Sequence, residues 1–153
     1  MIKASEAIDI LTTYLSKSGL KMTSQRRVVT EAFFDPSVTG DHPTAEELYL
    51  RVRKIDSRIG YATVYRSLKI LTEAGLASPG RFGDNQTRYE PESPGEHHDH
   101  FVCVECGKIV EFEDEEIERL QIEVAARLGF DLTDHKMVLF GKPTGTCKAV
   151  CKT

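Results

Sequence analysis

Apolar residues in the first half of the chain recur at helical spacing. Ala4, Ile8, Leu11 and Leu15 share one face and run to a natural stop at Gly19, which predicts a helix over 4–17. A second helix is expected after Thr23, carrying Val28, Val29, Ala32 and Phe33 and ending before Pro36. Residues 35–43 are polar and connect to Thr44-Ala45-Glu46-Glu47, a capping box that opens a third helix with Leu48 and Val52. In 60–73, Val64, Leu68 and Leu71 fall at i, i+4 and i+7 and turn inward, leaving Thr63, Tyr65, Arg66 and Lys69 to solvent or a partner. Gly75 closes that helix, and two short extended runs, 76–78 and 86–90, flank Gly80 and Gly83 as a hairpin. Helices followed by a small hairpin form a winged-helix pattern, whose last helix is the one that enters a DNA major groove. Composition alone leaves a solvated helix face equally open for Tyr65, Arg66 and Lys69.

The pattern changes after a Pro-, Ser- and Gly-containing stretch at 91–95, which reads as a linker. A strand is expected over 97–104 and a second over 108–113 beyond the Gly107 turn. Next comes a helix over 114–128 with Ile117, Leu120, Val124 and Leu128 in one stripe, and a last strand over 137–140. Acidic residues crowd the first turn of that helix, where its dipole favours them. The expected fold is α+β, with an N-terminal winged-helix domain at 1–90, a hinge at 91–95 and a C-terminal α/β domain at 96–153.

Charge separates the same two halves. Residues 1–90 hold 13 Lys+Arg against 11 Asp+Glu, whereas 91–153 hold 7 against 13. A mildly basic half leaves room for a phosphate partner, and an acidic half holding most of the His and Cys suits divalent cations. No apolar run approaches the roughly 18 residues of a membrane span, and the start lacks a secretory pattern, so a cytoplasmic protein with no membrane partner is expected.

The chemistry is concentrated in 97–106. Three of the five histidines (His97, His98, His100) and two of the four cysteines (Cys103, Cys106) fall in these ten residues. Cys103 and Cys106 have the C-x-x-C spacing that lets two thiolates converge on one ion, and Cys147 and Cys151 supply the two further ligands of a tetrahedral site. Such a closed site, most simply structural Zn(II), leaves no position for a reacting water. A disulfide or redox-active dithiol lacks the secretory or thioredoxin-like context it would need. If 97–104 is a strand, alternation sends His98 and His100 to one face and His97 and Asp99 to the other, so one strand can serve two metal sites.

The helix Gly60-Tyr61-Ala62-Thr63-Val64-Tyr65-Arg66-Ser67-Leu68, with His97-His98-Asp99-His100-Phe101-Val102-Cys103-Val104-Glu105-Cys106-Gly107-Lys108 after it, closely resembles the ferric uptake regulator family of bacterial metal-responsive repressors. The resemblance runs from about Leu20 to Cys151. It implies a homodimer that binds palindromic AT-rich DNA, with 96–153 as the dimerisation domain. It also implies a regulatory metal site of His42, Glu90, His98, His100 and Glu111, a second site of His97, Asp99, Glu118 and His135, and DNA contacts from Lys21, Tyr65 and Arg66.

Three imidazoles and two carboxylates suit Fe(II) or Mn(II) better than a thiolate site would, although Zn(II) should also bind in vitro. Zinc sensors of the family use a cysteine in the sensing site, and here all four cysteines are already placed. Peroxide sensors carry aspartates where Glu90 and Glu111 stand, but an alignment shift toward Asp84 or Asn85 keeps that reading open. From other classes, a His/Glu metallohydrolase would need a general base separate from its ligands, and the chain has no H-E-x-x-H helix. A zinc-stabilised interaction module requires Tyr65 and Arg66 to be irrelevant to DNA. The resemblance therefore points to a regulator and not an enzyme.

Overall fold

A computed structural model describes residues 2–38, 40–95, 97–147 and 151. The chain divides into two compact units, Met1–Glu96 and His97–Thr153.

The first unit is built from α1 (Ala4–Lys17), α2 (Ser24–Phe33), α3 (Ala45–Ile55), α4 (Tyr61–Glu73) and an antiparallel ribbon of β1 (Ala77–Gly80) and β2 (Arg88–Pro91). The anticipated capping box is formed: Glu47 donates its backbone N–H to Thr44 Oγ1 at 3.1 Å, and the Thr44 N–H reaches the Glu47 carboxylate at 2.8 Å. Helix α4 ends in a Schellman turn. Gly75 adopts φ +71°, its N–H meets the Thr72 carbonyl, and the Leu76 N–H meets that of Leu71. The apolar faces read from the sequence meet in one core, where Leu11, Leu15, Val29, Leu48, Val52, Val64, Leu68 and Leu71 are buried. Two boundaries differ from expectation. The hairpin strands begin and end later than 76–78 and 86–90, and Pro91 lies in β2, paired with Ala77, and not in a linker. Proline is tolerated there because it stands at the end of β2, beyond the bridge from Arg88 to Thr44 on the strand's other side.

Among the described residues, the second unit contains a three-stranded sheet, ordered β4-β3-β5, and a helix that follows β4. The central strand β3 (Asp99–Cys103) is antiparallel to β4 (Ile109–Phe112) and parallel to β5 (Val138–Gly141). Helix α5 (Glu115–Arg127) makes the crossover, and the Asp114 side chain caps its N-terminus. The strand starts at Asp99, so His97 and His98 precede it. Helix α5 has no buried residue, and Leu120, Val124 and Leu128 of the expected stripe are 48%, 42% and 69% exposed. No helix among the described residues is long and apolar enough to cross a membrane.

Candidate metal centres and nucleic-acid interface

The turn after β3 gathers the four cysteines. Gly107, at φ +72°, returns its N–H to the Cys103 carbonyl at 2.8 Å, and the Cys103 N–H bonds the Lys108 carbonyl at 2.9 Å. That tight turn aims Cys103 and Cys106 one way. One Sγ from each of Cys103, Cys106, Cys147 and Cys151 lies within 4.8 Å of the others, with 3.7 Å for the Cys103–Cys147 and Cys147–Cys151 pairs. All four are free thiols, and the separations are far beyond a disulfide bond. Backbone N–H groups of Cys106 and Glu105 pull the Cys103 thiol down to about 7. The Cys147 thiol is pushed up, first by the Cys106 thiol and then by burial, and burial raises Cys151 as well. Four sulfurs converging on one point, with one poised toward thiolate, suit a tetrahedral Zn(II).

A second constellation gathers around Asp99, the first residue of β3. The Nε2 atoms of His97 and His135 are 2.8 Å apart, and each lies 3.3–3.7 Å from Asp99 Oδ1 and Glu118 Oε1. Asp99 is 1% exposed, yet neither of its carboxylate oxygens has a hydrogen-bond partner, nor does Glu118 Oε1. Buried carboxylates without donors are costly unless a cation neutralises them. These donors therefore fit a divalent ion.

The remaining candidate ligands divide between the units, two in the first and three in the second. In the first unit His42, from the loop before α3, and Glu90, from β2, are both buried, with Nε2 and Oε1 3.5 Å apart. Phe82 packs edge-on to the His42 ring at 5.0 Å. In the second unit the His98 and His100 rings are 5.2 Å apart, and Glu111 on β4 stands opposite His100 on β3. Asp84, the residue an alignment shift would recruit, is instead ion-paired with Arg88 at 2.8 Å. Burial works against the Asp84 charge, but Arg88 and the Gln86 N–H outweigh it and hold that carboxyl below the usual range.

Sequence reasoning missed Arg88. Its Nη1 donates to the His42 carbonyl at 2.8 Å and to Glu47 at 3.0 Å, and its Nε donates to Asp84. The available signal was period two: on a strand, Arg88 and Glu90 share a face.

On the candidate nucleic-acid face, Tyr65, Arg66 and Lys69 of α4 are all exposed, and Lys21 is exposed before α2. The Lys21 carbonyl accepts from Arg26 Nη1 at 2.6 Å, which ties the approach to α2 back onto that helix.

Comparison with known proteins gives a consistent result. Residues 17–140 match the model of the ferric uptake regulator family. The ferric uptake regulation protein of Rhizobium leguminosarum bv. viciae is 42% identical over 84% of this chain and 87% of its own. Among solved structures, the Helicobacter pylori ferric uptake regulator, described as having three functional metal-binding sites, superposes with a TM-score of 0.80. It is 32% identical and covers 94% of this chain and 93% of its own. A zinc-bound manganese uptake regulator is 41% identical, with a TM-score of 0.64, over 87% of this chain and 98% of its own.

Proposed function

Since the chain belongs to the ferric uptake regulator family of metal-responsive, DNA-binding transcription repressors, we propose that Fe(II) or Mn(II) is its effector and that His42, Glu90, His98, His100 and Glu111 are the sensing ligands. The observation that carries this reading is the buried His42–Glu90 pair, held at 3.5 Å between a loop and the wing strand. Two protein donors alone hold a divalent ion weakly, and His98, His100 and Glu111 offer imidazole and carboxylate of the same character. A donor set without thiolate favours Fe(II) or Mn(II) as the physiological ion, with Zn(II) able to substitute in vitro.

When bound, the cation supplies a positive centre on which donors from both units converge. His42 and Glu90 contribute from the DNA-binding domain (1–90), His98, His100 and Glu111 from the dimerisation and metal-binding domain (96–153), and the hinge is what remains of 91–95 after β2 ends at Pro91. A hinge conformer that lets all five side chains reach one centre is favoured over conformers that offer two or three. That difference in donor number is the free energy available to the switch. Cys103, Cys106, Cys147 and Cys151 hold a structural Zn(II) that fixes the end of β3. His97, Asp99, Glu118 and His135 hold a second cation.

Lys21, Tyr65 and Arg66 are the proposed DNA contacts, and the operator is a palindromic AT-rich duplex whose half-site spacing follows the twofold axis of a homodimer. The dimer reading is supported by the apolar surface the second unit leaves in water: Leu128, Phe130 and Phe140 are 69%, 71% and 53% exposed. A regulator of this kind acts in the cytoplasm, carries out no reaction and has no membrane partner.

The test is a titration of protein purified anaerobically, with its zinc retained, against a palindromic AT-rich duplex in the presence of Mn(II), Fe(II) or chelator. Tighter binding with either metal is expected. Equal affinity in all three conditions would remove the sensor reading.

A further inference from the structure

Four of the five tyrosines in the chain gather at one end of α4. Tyr61 opens the helix, and Tyr65 follows one turn later with its ring stacked on that of Tyr61, centroids 6.4 Å apart and planes 21° from parallel. Tyr49 of α3 meets Tyr61 edge-on at 5.7 Å and itself lies 5.7 Å beneath the Arg53 guanidinium. Tyr89 of β2 backs the pair: its phenol is pushed up by burial and by the nearby Tyr65 and Tyr61 hydroxyls.

A purely bracing role would bury these rings. Instead Tyr61 is 47% and Tyr65 49% exposed, while the α3–α4 contact is already closed by Leu48, Val52, Val64 and Leu68. Two stacked rings left half in water beside Arg66 and Lys69, on the helix a winged-helix fold presents to DNA, are an apolar platform in a cationic setting. Duplex bases are stacked and cannot lie on such rings. The apolar feature that duplex DNA exposes in its major groove is the thymine C5 methyl. Successive bases rise about 3.4 Å along a strand, so rings 6.4 Å apart span one to two base steps.

We propose that Tyr61, held in place by Tyr49, is a further operator-contacting and specificity-determining residue that takes a thymine methyl next to the position reached by Tyr65. The proposal rests on α4 being the reading helix. Arg53, through its contact with Tyr49, extends the strip toward the phosphate backbone as a cation.

The experiment uses the full-length, Mn(II)-loaded protein and a palindromic duplex enriched by it from a random pool. Each thymine is replaced in turn by uracil, which removes only the methyl group, and affinity is measured for wild type, Tyr61→Phe and Tyr61→Leu. In wild type, at least two replacements are expected to weaken binding, each by about fourfold, the worth of one methyl group removed from water. One of these losses should persist in Tyr61→Phe and vanish in Tyr61→Leu, which keeps an apolar side chain against Tyr49 but lacks the ring. Photocrosslinking of wild-type protein to the same duplex carrying 5-iodouracil should map to Tyr61 at that one base, with no variant needed. Crosslinks confined to Tyr65, or uracil effects identical in all three proteins, would overturn the proposal while leaving the repressor reading intact. Failure of wild type to enrich any duplex would overturn both.

Discussion

Arg88 Nη1 donates to the main-chain carbonyl of His42 at 2.8 Å. One guanidinium thus joins the loop that carries one proposed sensing ligand to the strand that carries another, Glu90, two residues along. The same loop is fixed from other directions: Tyr89 donates its N–H to the Pro43 carbonyl at 2.9 Å, and Asp41 pairs with Arg51 of α3. His42 and Glu90 therefore face each other across backbones that are tied together.

Removing that tie should cost metal affinity without touching zinc. Arg88→Met keeps an unbranched apolar stem but loses every donor, leaving the His42 carbonyl, Glu47 and Asp84 without their shared cation. Mn(II) affinity, measured by competition with a fluorescent chelator, is expected to fall about tenfold or more, the usual effect of losing a group that orients a ligand. Zinc content should stay that of wild type. An unchanged Mn(II) affinity would mean the half-site does not depend on Arg88.

The cysteine site gives a prediction with a definite sign in pH. The Cys106 and Glu105 N–H groups hold the folded Cys103 thiol at about 7, below an ordinary thiol. Its contribution to stability is present above the unfolded value and lost as pH falls through about 7. Cys147 and Cys151 are shifted up, so in the metal-free protein they hold their protons at neutral pH. Zinc loading must displace those protons, and occupancy therefore falls as pH drops. An indicator dye should record more than one proton released per zinc at neutral pH, and Cys103→Ser should abolish both zinc retention and proton release. Its melting temperature should drop by about 10 °C or more, because structural zinc binding supplies folding energy.

Much of this arrangement is legible in the sequence, and what is not has a physical reason. The Thr44–Glu47 capping box, the faces of α1 to α4 and the C-x-x-C turn are local, and spacing specifies them. Contacts such as Arg88 with His42 join residues distant in sequence and leave no periodic signature. His135 comes from the irregular segment between α5 and β5, where no pattern fixes a side chain, and only the family resemblance pointed to it. The stripe on α5 defines a face but not what covers it, and within one chain that face stays in water.

Asp99 should respond in opposite directions with and without metal. Both of its oxygens are buried without hydrogen-bond donors, and Glu118 lies in the same cluster, so two carboxylates crowd together there. Asp99→Asn relieves that repulsion and is expected to stabilise the metal-free form by about 1–3 kcal/mol. It should also abolish the rise in melting temperature that Zn(II) or Mn(II) produces at this site. Thermal denaturation with and without added metal distinguishes this from a purely structural carboxylate, whose loss would destabilise both forms.

The exposed apolar surface of the second unit should be needed for self-association. Phe140→Asp places a charge in the middle of β5, on a side chain that is 53% exposed in the single chain. Sedimentation velocity is expected to show wild type as a dimer and the variant shifted to monomer, with zinc content unchanged. A variant that remains dimeric at micromolar concentration would place the interface elsewhere.

The central claim is that metal occupancy and operator binding select the same hinge conformer, and thermodynamic reciprocity tests it most directly. Mn(II) is titrated into the zinc-retaining protein with and without saturating operator duplex, in wild type and in Glu90→Ala/His98→Ala. In wild type the duplex should tighten Mn(II) binding by the same factor by which Mn(II) tightens duplex binding, and the double variant should lose both effects together while remaining folded. A Mn(II) affinity indifferent to the duplex in wild type would contradict the account.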